Sequence, residues 1–419
     1  MDNQAQKGVN LLIVVAALGY FVDIYDLVLF NVVKKESLEA LGFVGKQLEM
    51  VGKDLFNWQM GGMLLGGILW GILGDKKGRV TILFGSILLY SVANMANAFV
   101  TDIGLYKVLR FLAGLGLAGE LGAGITLVSE SMHKDKRGLG TMIIVTFGAL
   151  GAVVAQQVAT KGEFLNGWLN TDFDKWQIAY IIGGALGLLL LILRVGAFES
   201  GMFKKMQEST VAKGDLSLIF KDGKTFLKYL NCILIGLPIW CVIGVLINMS
   251  NIFGKEIGTD KEIVVGTTVM YAYIGLSVGD LLSGLMSQLF RSRKKIMLVY
   301  QLVLMVFVLL FLLRTNVTTT YFYTMSFFLG LGAGYWALFV TNAAEQFGTN
   351  IRSTVANTVP NFVRGAVIPV TNFFMYLTVS KGVSAISAAL IVSAISFTLS
   401  IFATFFTEET FGKDLNYVE

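Results

Sequence analysis

Apolar stretches of about 20 residues recur along the whole sequence, and each is long enough to cross the hydrocarbon core of a bilayer as a helix. Hydrophobic residues make up 55% of the 419 residues and charged residues only 15%, with a mean hydropathy of +0.70. An ordinary soluble domain carries about 25% charged residues. The sequence therefore predicts an integral membrane protein with many spanning helices and no sizeable soluble domain.

The apolar windows predict about twelve spans, so the expected fold is an all-α membrane protein. These spans are expected to start near Val9, Phe56, Val80, Gly104, Gly138, Gln177, Thr225, Ile263, Ile296, Thr319, Thr354 and Val383. The longest polar interruption after the first loop separates two groups of six. We therefore predict a six-helix half at residues 1–197, a linker at 198–224, a second half at 225–407 and a tail at 408–419.

Lysine and arginine are concentrated in alternate loops, which predicts the orientation because cytoplasmic loops carry an excess of these residues. The basic positions are Lys76, Lys77, Arg79, Lys134, Lys136, Arg137, Lys204, Lys205, Lys213, Lys221, Arg291, Arg293, Lys294 and Lys295. We expect both termini on the cytoplasmic side of the plasma (inner) membrane. The opening "MDNQAQKGVN" leads into a spanning segment without a small-residue cleavage site, so we expect that segment to be retained.

Two pairs of motifs repeat at nearly the same offset, which predicts pseudo-symmetric halves. Glu130 and Arg137 are seven residues apart, and Glu345 and Arg352 have the same spacing 215 residues later. The stretch "GILGDKKGR" from Gly71 has a weaker counterpart in "GLMSQLFRSRKK", offset by 213 residues. Two six-span halves follow from these pairs.

The "GILGDKKGR" loop combines helix-packing glycines, a carboxylate at a helix end and a basic turn at the membrane surface. Asp75 can bond to a neighbouring helix N-terminus in one conformational state and release it in another. The alternative is a loop whose basic residues only set topology and whose acid only caps a helix. Candidate gating residues are Gly71, Asp75, Gly78, Arg79, Glu130, Arg137, Glu345 and Arg352.

Charged residues also stand inside the apolar spans, where they are costly and normally face a partner or a cavity. Asp23 and Asp26 are three residues apart, so a helix places them on one face one turn apart. Burial and like charge disfavour ionising both, so one carboxyl is expected to hold a proton near neutral pH. The alternative for Asp23 is a hydrogen bond to a neighbouring helix near the outer interface.

The fourth span, "RFLAGLGLAGELGAG", carries Arg110 and Glu120. Gly114, Ala118 and Gly122 recur every four residues and allow another helix backbone to pack closely. Arg110 and Glu120 are candidate proton-coupling residues with Asp23 and Asp26. A purely structural ion pair is the alternative.

Several classes of enzyme site are disfavoured. The "GLGLAG" match to a dinucleotide fingerprint lies inside a membrane-length helix rather than after a strand, and no G-x-x-x-x-G-K-[ST] loop occurs. The single histidine, His133, has no Cys or carboxylate at metal-ligand spacing. Cys232 and Cys241 are nine residues apart on one helix, too far for a mutual disulfide. We expect no cofactor, no metal, no enzymatic activity and no nucleic-acid partner, since the net charge of +5 mostly reflects topology.

Together the G-x-x-x-D-x-x-G-R pattern of Gly71 to Arg79, the R-F-x-x-G-x-G-x-x-G-E pattern of Arg110 to Glu120 and the paired E-x6-R loops resemble the major facilitator superfamily. "ES" at Glu199 and Ser200, without flanking prolines, and "EETFGKDL" are similar to elements of the branch of sugar porters, organic-ion transporters and metabolite or aromatic-acid proton symporters. "DIYD" is similar to the D-G-[YF]-D of aromatic-acid symporters, with Ile24 in place of glycine. The resemblance implies twelve helices in two six-helix bundles.

The resemblance also implies that Tyr25 and Asp26 serve proton coupling, with Arg110 stabilising deprotonated Asp26 in one state. Among polar residues within spans, the candidates for substrate contact are Arg364, Tyr25, Gln59, Gln156, Gln157, Asn248, Tyr271, Trp336 and Asn361. Tyr273, Asp280, Asn342 and Asn372 belong to the same wider set. Arg364 lies between Pro360 and Pro369, and a carboxylate or phosphate substrate would satisfy it bidentately. Its rival partners are the internal acids Glu345 and Asp280.

We therefore expect a monomeric, proton-coupled symporter in the lipid bilayer that imports a small organic anion by alternating access. A sugar or polyol transporter is the second reading, in which Gln and Asn residues dominate the site and Arg364 pairs internally. Export of organic cations or drugs is the third. A receptor or channel is disfavoured by the repeated halves and their gating motifs.

Overall fold

The computed structural model describes residues 3–132, 136–162, 164, 167, 172–194 and 213–418, with side-chain environments from residue 12 onward. His133, Lys134, Glu199, Ser200, Lys204 and Lys205, and positions 198–212 of the predicted linker, lie outside the described residues. The described part is helical, as expected for apolar segments whose backbone must be satisfied within the bilayer.

The first part of the chain contains the helices α1 (Asn3–Ala40), α2 (Gly45–Lys77), α3 (Arg79–Asn97), α4 (Ile103–Leu117), α5 (Glu120–Ser131), α6 (Arg137–Ala149), α7 (Gly151–Lys161) and α8 (Lys175–Leu193). Polar residues mark several starts. Asp102, for example, accepts hydrogen bonds from the N–H groups of Gly104 and Leu105 at the start of α4.

The second part begins with a short 3₁₀ helix (Leu216–Phe220) and continues with α9 (Gly223–Cys241), a π turn (Val242–Ile247), α10 (Ser250–Ile257), α11 (Val265–Leu289), α12 (Arg293–Leu312), α13 (Thr319–Ala333), α14 (Trp336–Glu345), α15 (Arg352–Gly365), α16 (Val367–Met375), a π turn (Tyr376–Ser380) and α17 (Ala385–Phe406). Cys232 and Cys241 are buried and free.

Eleven helical segments of the described chain are long and apolar enough to cross a membrane. They correspond to eleven of the expected spans, and some contain two consecutive helices, such as Ile103–Ser131 and Thr319–Glu345. The segment predicted near Phe56 lies in α2, a 33-residue helix that is not among the eleven. Glycines and polar side chains such as Asn57 and Gln59 dilute its apolar character.

Several spans are broken near their middle, and the breaks offer backbone groups for bonding at depth. The carbonyl of Ala118, between α4 and α5, accepts a hydrogen bond from Asn361 Nδ2 at 2.9 Å. The N–H of Ala337, at the start of α14, donates to Asp280 Oδ1 at 2.8 Å. Irregular backbone at membrane depth requires such internal partners.

Helix α2 packs closely against α4 on one side and α15 on the other. A Cβ added at Gly114 of α4 would lie 2.1 Å from the carbonyl oxygen of Gln59, and one added at Gly71 would lie 2.8 Å from the Cα of Thr354. Gly122 meets Asn357 of α15 in the same way. The close approach predicted from the small-residue spacing of the fourth span is therefore present at Gly114 and Gly122.

Candidate functional site

The N-terminus of α15 is bound by a carboxylate from the other half of the sequence. Asp75, near the end of α2, accepts hydrogen bonds from the N–H groups of Ser353 at 3.0 Å and Thr354 at 2.8 Å. Its Oδ2 also accepts from Thr354 Oγ1 at 2.7 Å. A negative charge is favoured at this position because unpaired N–H groups and the helix dipole converge there.

Three further charged residues extend this contact. Arg79 donates to Glu130 Oε1 at 3.0 Å and to the Thr349 carbonyl at 3.3 Å. Arg352 Nη1 donates to the same Glu130 oxygen at 3.1 Å. We call Asp75, Arg79, Glu130, Arg352 and Thr354 the latch. Every member is buried, so this end of the bundle is closed.

A second ion pair mirrors the latch. Arg293 donates through Nε and Nη2 to Glu345 at 2.6 and 2.8 Å, as Arg79 donates to Glu130 214 and 215 residues earlier. Arg137 lies within electrostatic reach of Glu345, the counterpart of the Arg352–Glu130 contact. The repeat seen in the sequence thus appears as paired charge clusters. The end of the bundle that carries Arg79, Arg137, Arg293 and Arg352 is the basic face.

The C-terminal residues 407–418 lie across the basic face and bond to it. Arg137 donates to the carbonyl of Lys413 at 3.2 Å, and Arg352 donates to the carbonyl of Leu415 at 2.7 Å. Thr349 donates to the carbonyls of Leu415 and Tyr417. The tail therefore joins residues from both parts of the sequence while the latch is closed.

The paired acids of the first span lie inside the bundle. Asp23 and Asp26 are fully buried, and none of their four carboxylate oxygens has a hydrogen-bond partner. Asn94 and Arg110 are the polar neighbours of Asp26. Arg364 is the basic residue that acts most strongly on Asp23. Buried carboxylates without partners are costly when charged, so both sites suit reversible protonation.

Arg110 is held by amides rather than by a carboxylate. It donates to Gln59 Oε1 in a short contact and to Asn94 Oδ1 at 3.4 Å, and its guanidinium lies 5.0 Å from the ring centre of Phe30. Its Nε has no partner. Arg110 therefore keeps donor capacity beside Asp26 without forming an ion pair with it.

Glu120 pairs with an arginine that the sequence analysis did not single out. Arg194, just after α8, donates to both carboxylate oxygens of Glu120, with Nη1 to Oε2 at 2.9 Å. It also donates to the carbonyl of Val15 at 3.3 Å. The pair ties α1, α5 and the end of α8 together, and both residues are about 1% exposed. This geometry matches the structural alternative considered for Glu120.

Arg364 lies in an aromatic cluster with Tyr20, Trp240 and Trp336. Its guanidinium carbon is 5.8 Å from the Trp240 ring and 5.4 Å from the Trp336 ring. Its Nη2 lies 3.4 Å from Tyr20 Oη, which also accepts from Trp336 Nε1 at 3.0 Å. We call these four residues the arginine cluster.

The arginine has no carboxylate within ion-pair distance in the described part of the chain. Its other polar contact is a 3.4 Å bond from Nη1 to Asn361 Oδ1, and its Nε has no partner. The two rival acids are bonded elsewhere, since Glu345 pairs with Arg293 and Asp280 accepts from Ala337. A guanidinium that is 1% exposed and weakly bonded is ready for an anion.

A cleft opens at the end of the bundle opposite the basic face, which we call the cleft face. It has a volume of about 680 Å³ and is lined by Asn31 and Lys34 of α1 and by Asn248 and Lys255 around α10. A neighbouring cleft of about 470 Å³ shares these two lysines and includes Gln156. The predicted residues Asn248 and Gln156 thus line open space.

A small void of about 10 Å³ lies next to the larger cleft and shares Asn31, Phe56 and Asn248 with it. Trp240 and Tyr273 also line the void, and Trp240 is a member of the arginine cluster. A line of polar and aromatic side chains therefore leads from the cleft face to Arg364, while the latch closes the basic face.

Other predicted contact residues have different surroundings. Tyr25 donates to the carbonyl of Ala179 at 2.9 Å, and Gln59 bonds to Arg110 and to the Leu27 carbonyl. Tyr271 stacks on Tyr323 with ring centres 5.6 Å apart, and Gln157 is exposed. Neither Tyr271 nor Gln157 lines the clefts described above. Asn342 accepts from Thr410 Oγ1, and Asn372 is exposed.

The sequence analysis missed Tyr20, Asn94, Trp240 and Arg194. An arginine directly after the apolar run of α8 was a signal for Arg194. The other three are ordinary residues within spans, and only packing reveals their neighbours. Among the described residues, no group of three or more His, Cys, Asp or Glu side chains could hold a metal ion.

Comparison with known proteins supports this geometry. The chain is 27% identical over 296 residues to a probable 4-methylmuconolactone transporter of Cupriavidus pinatubonensis, covering 69% of this chain and 66% of that protein. It is 25% identical over 277 residues to the sialic acid transporter NanX of Escherichia coli, covering 64% and 62%. The aligned regions thus span slightly less than two thirds of either relative.

The fold is similar to that of the proton:xylose symporter XylE, solved with 6-bromo-6-deoxy-D-glucose. The TM-score is 0.73 at 16% identity, covering 98% of each chain. The sequence profile described as Major Facilitator Superfamily matches residues 16–378. With this match over most of its length, the chain belongs to the Major Facilitator Superfamily of membrane transporters.

Proposed function

We propose that the protein is a proton-coupled symporter that imports a small organic anion, with Arg364 as the substrate-binding cation. The observation that carries this proposal is a buried arginine without an acidic partner, held between two indoles at the inner end of a line of residues from the cleft. Carboxylates match the planar guanidinium in a bidentate geometry. The names of the two relatives, transporters of a lactone metabolite and of sialic acid, are consistent with this class.

Coupling follows from competition for one guanidinium. Arg364 is near Asp23, and while the site is empty its positive charge favours the ionised carboxylate. A bound anion takes over that charge, so Asp23 then gains from binding a proton. Substrate and proton therefore assist each other, as linkage requires of a symporter. Asp26 beside Arg110 is the second proton site in this scheme.

The same proposal covers the transmembrane organisation. Helix α2 completes twelve spans, divided into halves at 1–197 and 225–407, with residues 198–224 as linker and 408–419 as tail. The basic face lies in the cytoplasm with both termini, as the positive-inside rule predicts, and the protein is a monomer in the plasma (inner) membrane. The closed latch and the open cleft then correspond to an outward-facing state of an alternating-access cycle.

The direct test is uptake by proteoliposomes with an imposed pH gradient, inside alkaline. A panel of carboxylates is compared with the corresponding neutral amides and with sugars. Accumulation of an acid but not of its amide, lost in Arg364→Gln and kept in Arg314→Gln, is expected. Arg314 is exposed and serves as the matched control. Accumulation of a sugar or amide that survives Arg364→Gln would overturn the proposal.

A further inference from the structure

A long apolar groove lies on the outside of the bundle between α12 and α17. Its volume is about 660 Å³, and its lining includes Met305 and Leu309 from α12 and Phe397, Ile401 and Phe405 from α17. Phe405 is 59% exposed and Leu309 40% exposed, so the groove opens sideways rather than into the core. Its other side chains are apolar except for two hydroxyl groups, those of Ser393 and Thr398.

The groove has the length of a lipid tail in one leaflet. It runs along α17 from Leu390 to Phe405, roughly 22 Å at 1.5 Å rise per residue. Half of the hydrocarbon core is about 15 Å thick. Both flanking helices are membrane-spanning segments, so the groove faces acyl chains.

One end of the groove meets a basic turn. Lys294 donates from Nζ to the carbonyl of Phe405 at 2.7 Å, which places its ammonium at the groove's end. Arg291 and Lys295 flank it and are exposed. Arg293 is not available, because it is buried in its pair with Glu345.

The nearby acids leave this turn positively charged. Glu409 is directed at the start of α12, where it accepts from the N–H of Arg293 at 2.9 Å and of Lys294 at 3.3 Å. Glu408 is exposed and is the remaining acid beside the turn. Three cations therefore stand at the end of an apolar groove, a combination that matches a molecule with an anionic head and a hydrocarbon tail.

We propose that this groove and the turn of Arg291, Lys294 and Lys295 bind one anionic phospholipid, with an acyl chain in the groove and the phosphate on the basic turn. Juxtamembrane basic clusters recognise anionic headgroups through this charge complementarity. A second copy of the chain is a poorer occupant. Two copies related by a two-fold axis along the membrane normal would bring two basic turns together, which like charge disfavours.

The seat has a consequence for gating. The turn that would hold the phosphate leads into the first residue of α12, Arg293, whose guanidinium pairs with Glu345 at the closed basic face. A lipid bound there holds α12 and α17 together at that end. Anionic lipid is therefore expected to favour the state with the basic face closed. This inference does not depend on the identity of the transported substrate.

The test uses the purified full-length chain in detergent, titrated with phosphatidylglycerol or phosphatidylcholine of identical acyl chains. Melting temperature and the number of lipids retained in native mass spectrometry are measured. Phosphatidylglycerol is expected to give a larger Tm rise and one retained lipid at lower concentration. The double variant Arg291→Gln/Lys295→Gln should lose that excess, and Lys221→Gln/Lys224→Gln, which removes two exposed cations elsewhere, should keep it.

A groove variant provides the second arm. Ala394→Trp fills the groove with a large side chain from an exposed position and should lower retention of both lipids without changing the basic turn. Equal responses of the wild type to both lipids would overturn the proposal, as would an undiminished phosphatidylglycerol excess in Arg291→Gln/Lys295→Gln. A dimer cross-linked through α12 and α17 that persists with added lipid would assign the groove to a second copy instead.

Discussion

Asp75 and Thr354 are 279 residues apart in sequence, yet Asp75 accepts two hydrogen bonds from Thr354, at 2.8 Å from the N–H and 2.7 Å from Oγ1. One residue ends α2 and the other begins α15. The contact joins the two parts of the molecule at the basic face. It exists only while that face is closed, so it is a switch in the cycle we propose.

Replacing Asp75 by Asn is expected to open the basic face. A hydrogen bond to a charged group contributes about 1.5–3 kcal/mol, so loss of the charge should shift the closed-to-open ratio roughly tenfold or more. The measurement is labelling of a cysteine introduced as Ser353→Cys, a buried position under the latch, with a membrane-impermeant maleimide. Lys76→Gln, at an exposed neighbour, is the control. An unchanged labelling rate in Asp75→Asn would contradict the latch role.

Asp26→Asn is expected to abolish accumulation driven by a pH gradient and to spare exchange of substrate across the membrane. The amide cannot take up and release a proton, while the site keeps its shape. Uptake and counterflow in the same proteoliposomes separate the two activities. Asp54→Asn removes a carboxylate that is exposed and paired with Lys107, and it should keep both activities. Full accumulation by Asp26→Asn would exclude Asp26 from coupling.

Tyr20→Phe is expected to weaken binding of the anion about tenfold or more. The change removes the hydroxyl that positions both Arg364 and Trp336, and a hydrogen bond to a charged group contributes about 1.5–3 kcal/mol. The readout is the ligand concentration that half-saturates the rise in Tm. Tyr271→Phe, at a tyrosine stacked outside the clefts, should bind like the wild type. Equal affinities in the two variants would remove Tyr20 from the site.

Glu120→Gln is expected to cost about 3–5 kcal/mol of stability, because it leaves Arg194 buried without its counter-charge. Glu120→Gln/Arg194→Met removes both charges and should recover much of that loss. Melting temperature reports stability, and proton-driven uptake by the double variant reports function. Retained coupling in the stable double variant would make the pair structural. Loss of coupling at restored stability would return Glu120 to the proton pathway.

Glu409 predicts a pH dependence of the tail. Partial burial raises the pKa of Glu409, but hydrogen bonds from Ser292 Oγ and from the backbone N–H groups of Arg293 and Phe411 outweigh it and hold the pKa below its ordinary value of 4.5. A lowered folded-state pKa stabilises the protein above the ordinary value, and the gain disappears as pH falls through the folded value.

Glu409→Gln should therefore lower Tm at pH 7 and converge with the wild type below about pH 4. The cost is about 1 kcal/mol or less, because about half of the side chain is exposed to solvent, which screens the interaction. Thermal unfolding at both pH values is the measurement. Glu408→Gln, at the exposed neighbour, should match the wild type at both. A Tm loss in Glu409→Gln that is the same at pH 4 and pH 7 would contradict this account.

The sequence alone determined the membrane class, the helical spans and the residues of the latch. Apolar runs of membrane length have few other ways to satisfy their backbone, so the class follows from composition and periodicity. Asp75, Glu130 and Arg352 were recognisable because charges at span ends recur at a fixed offset in the two halves. Buried acids such as Asp23 and Asp26 stood out because charges within apolar spans are rare.

Only the tertiary structure decided which charges meet. Glu120 was grouped with Arg110 by sequence, yet it pairs with Arg194, 74 residues away. Arg364 had two acids as candidate partners, and both are bonded elsewhere, so its guanidinium is left among the rings of Tyr20, Trp240 and Trp336. Spacing along one helix defines which residues share a face, but the neighbour opposite that face depends on how separate helices pack. Because short-range bonding determines whether a buried charge is neutralised or left free, the assignment of binding and structural roles depended on that packing.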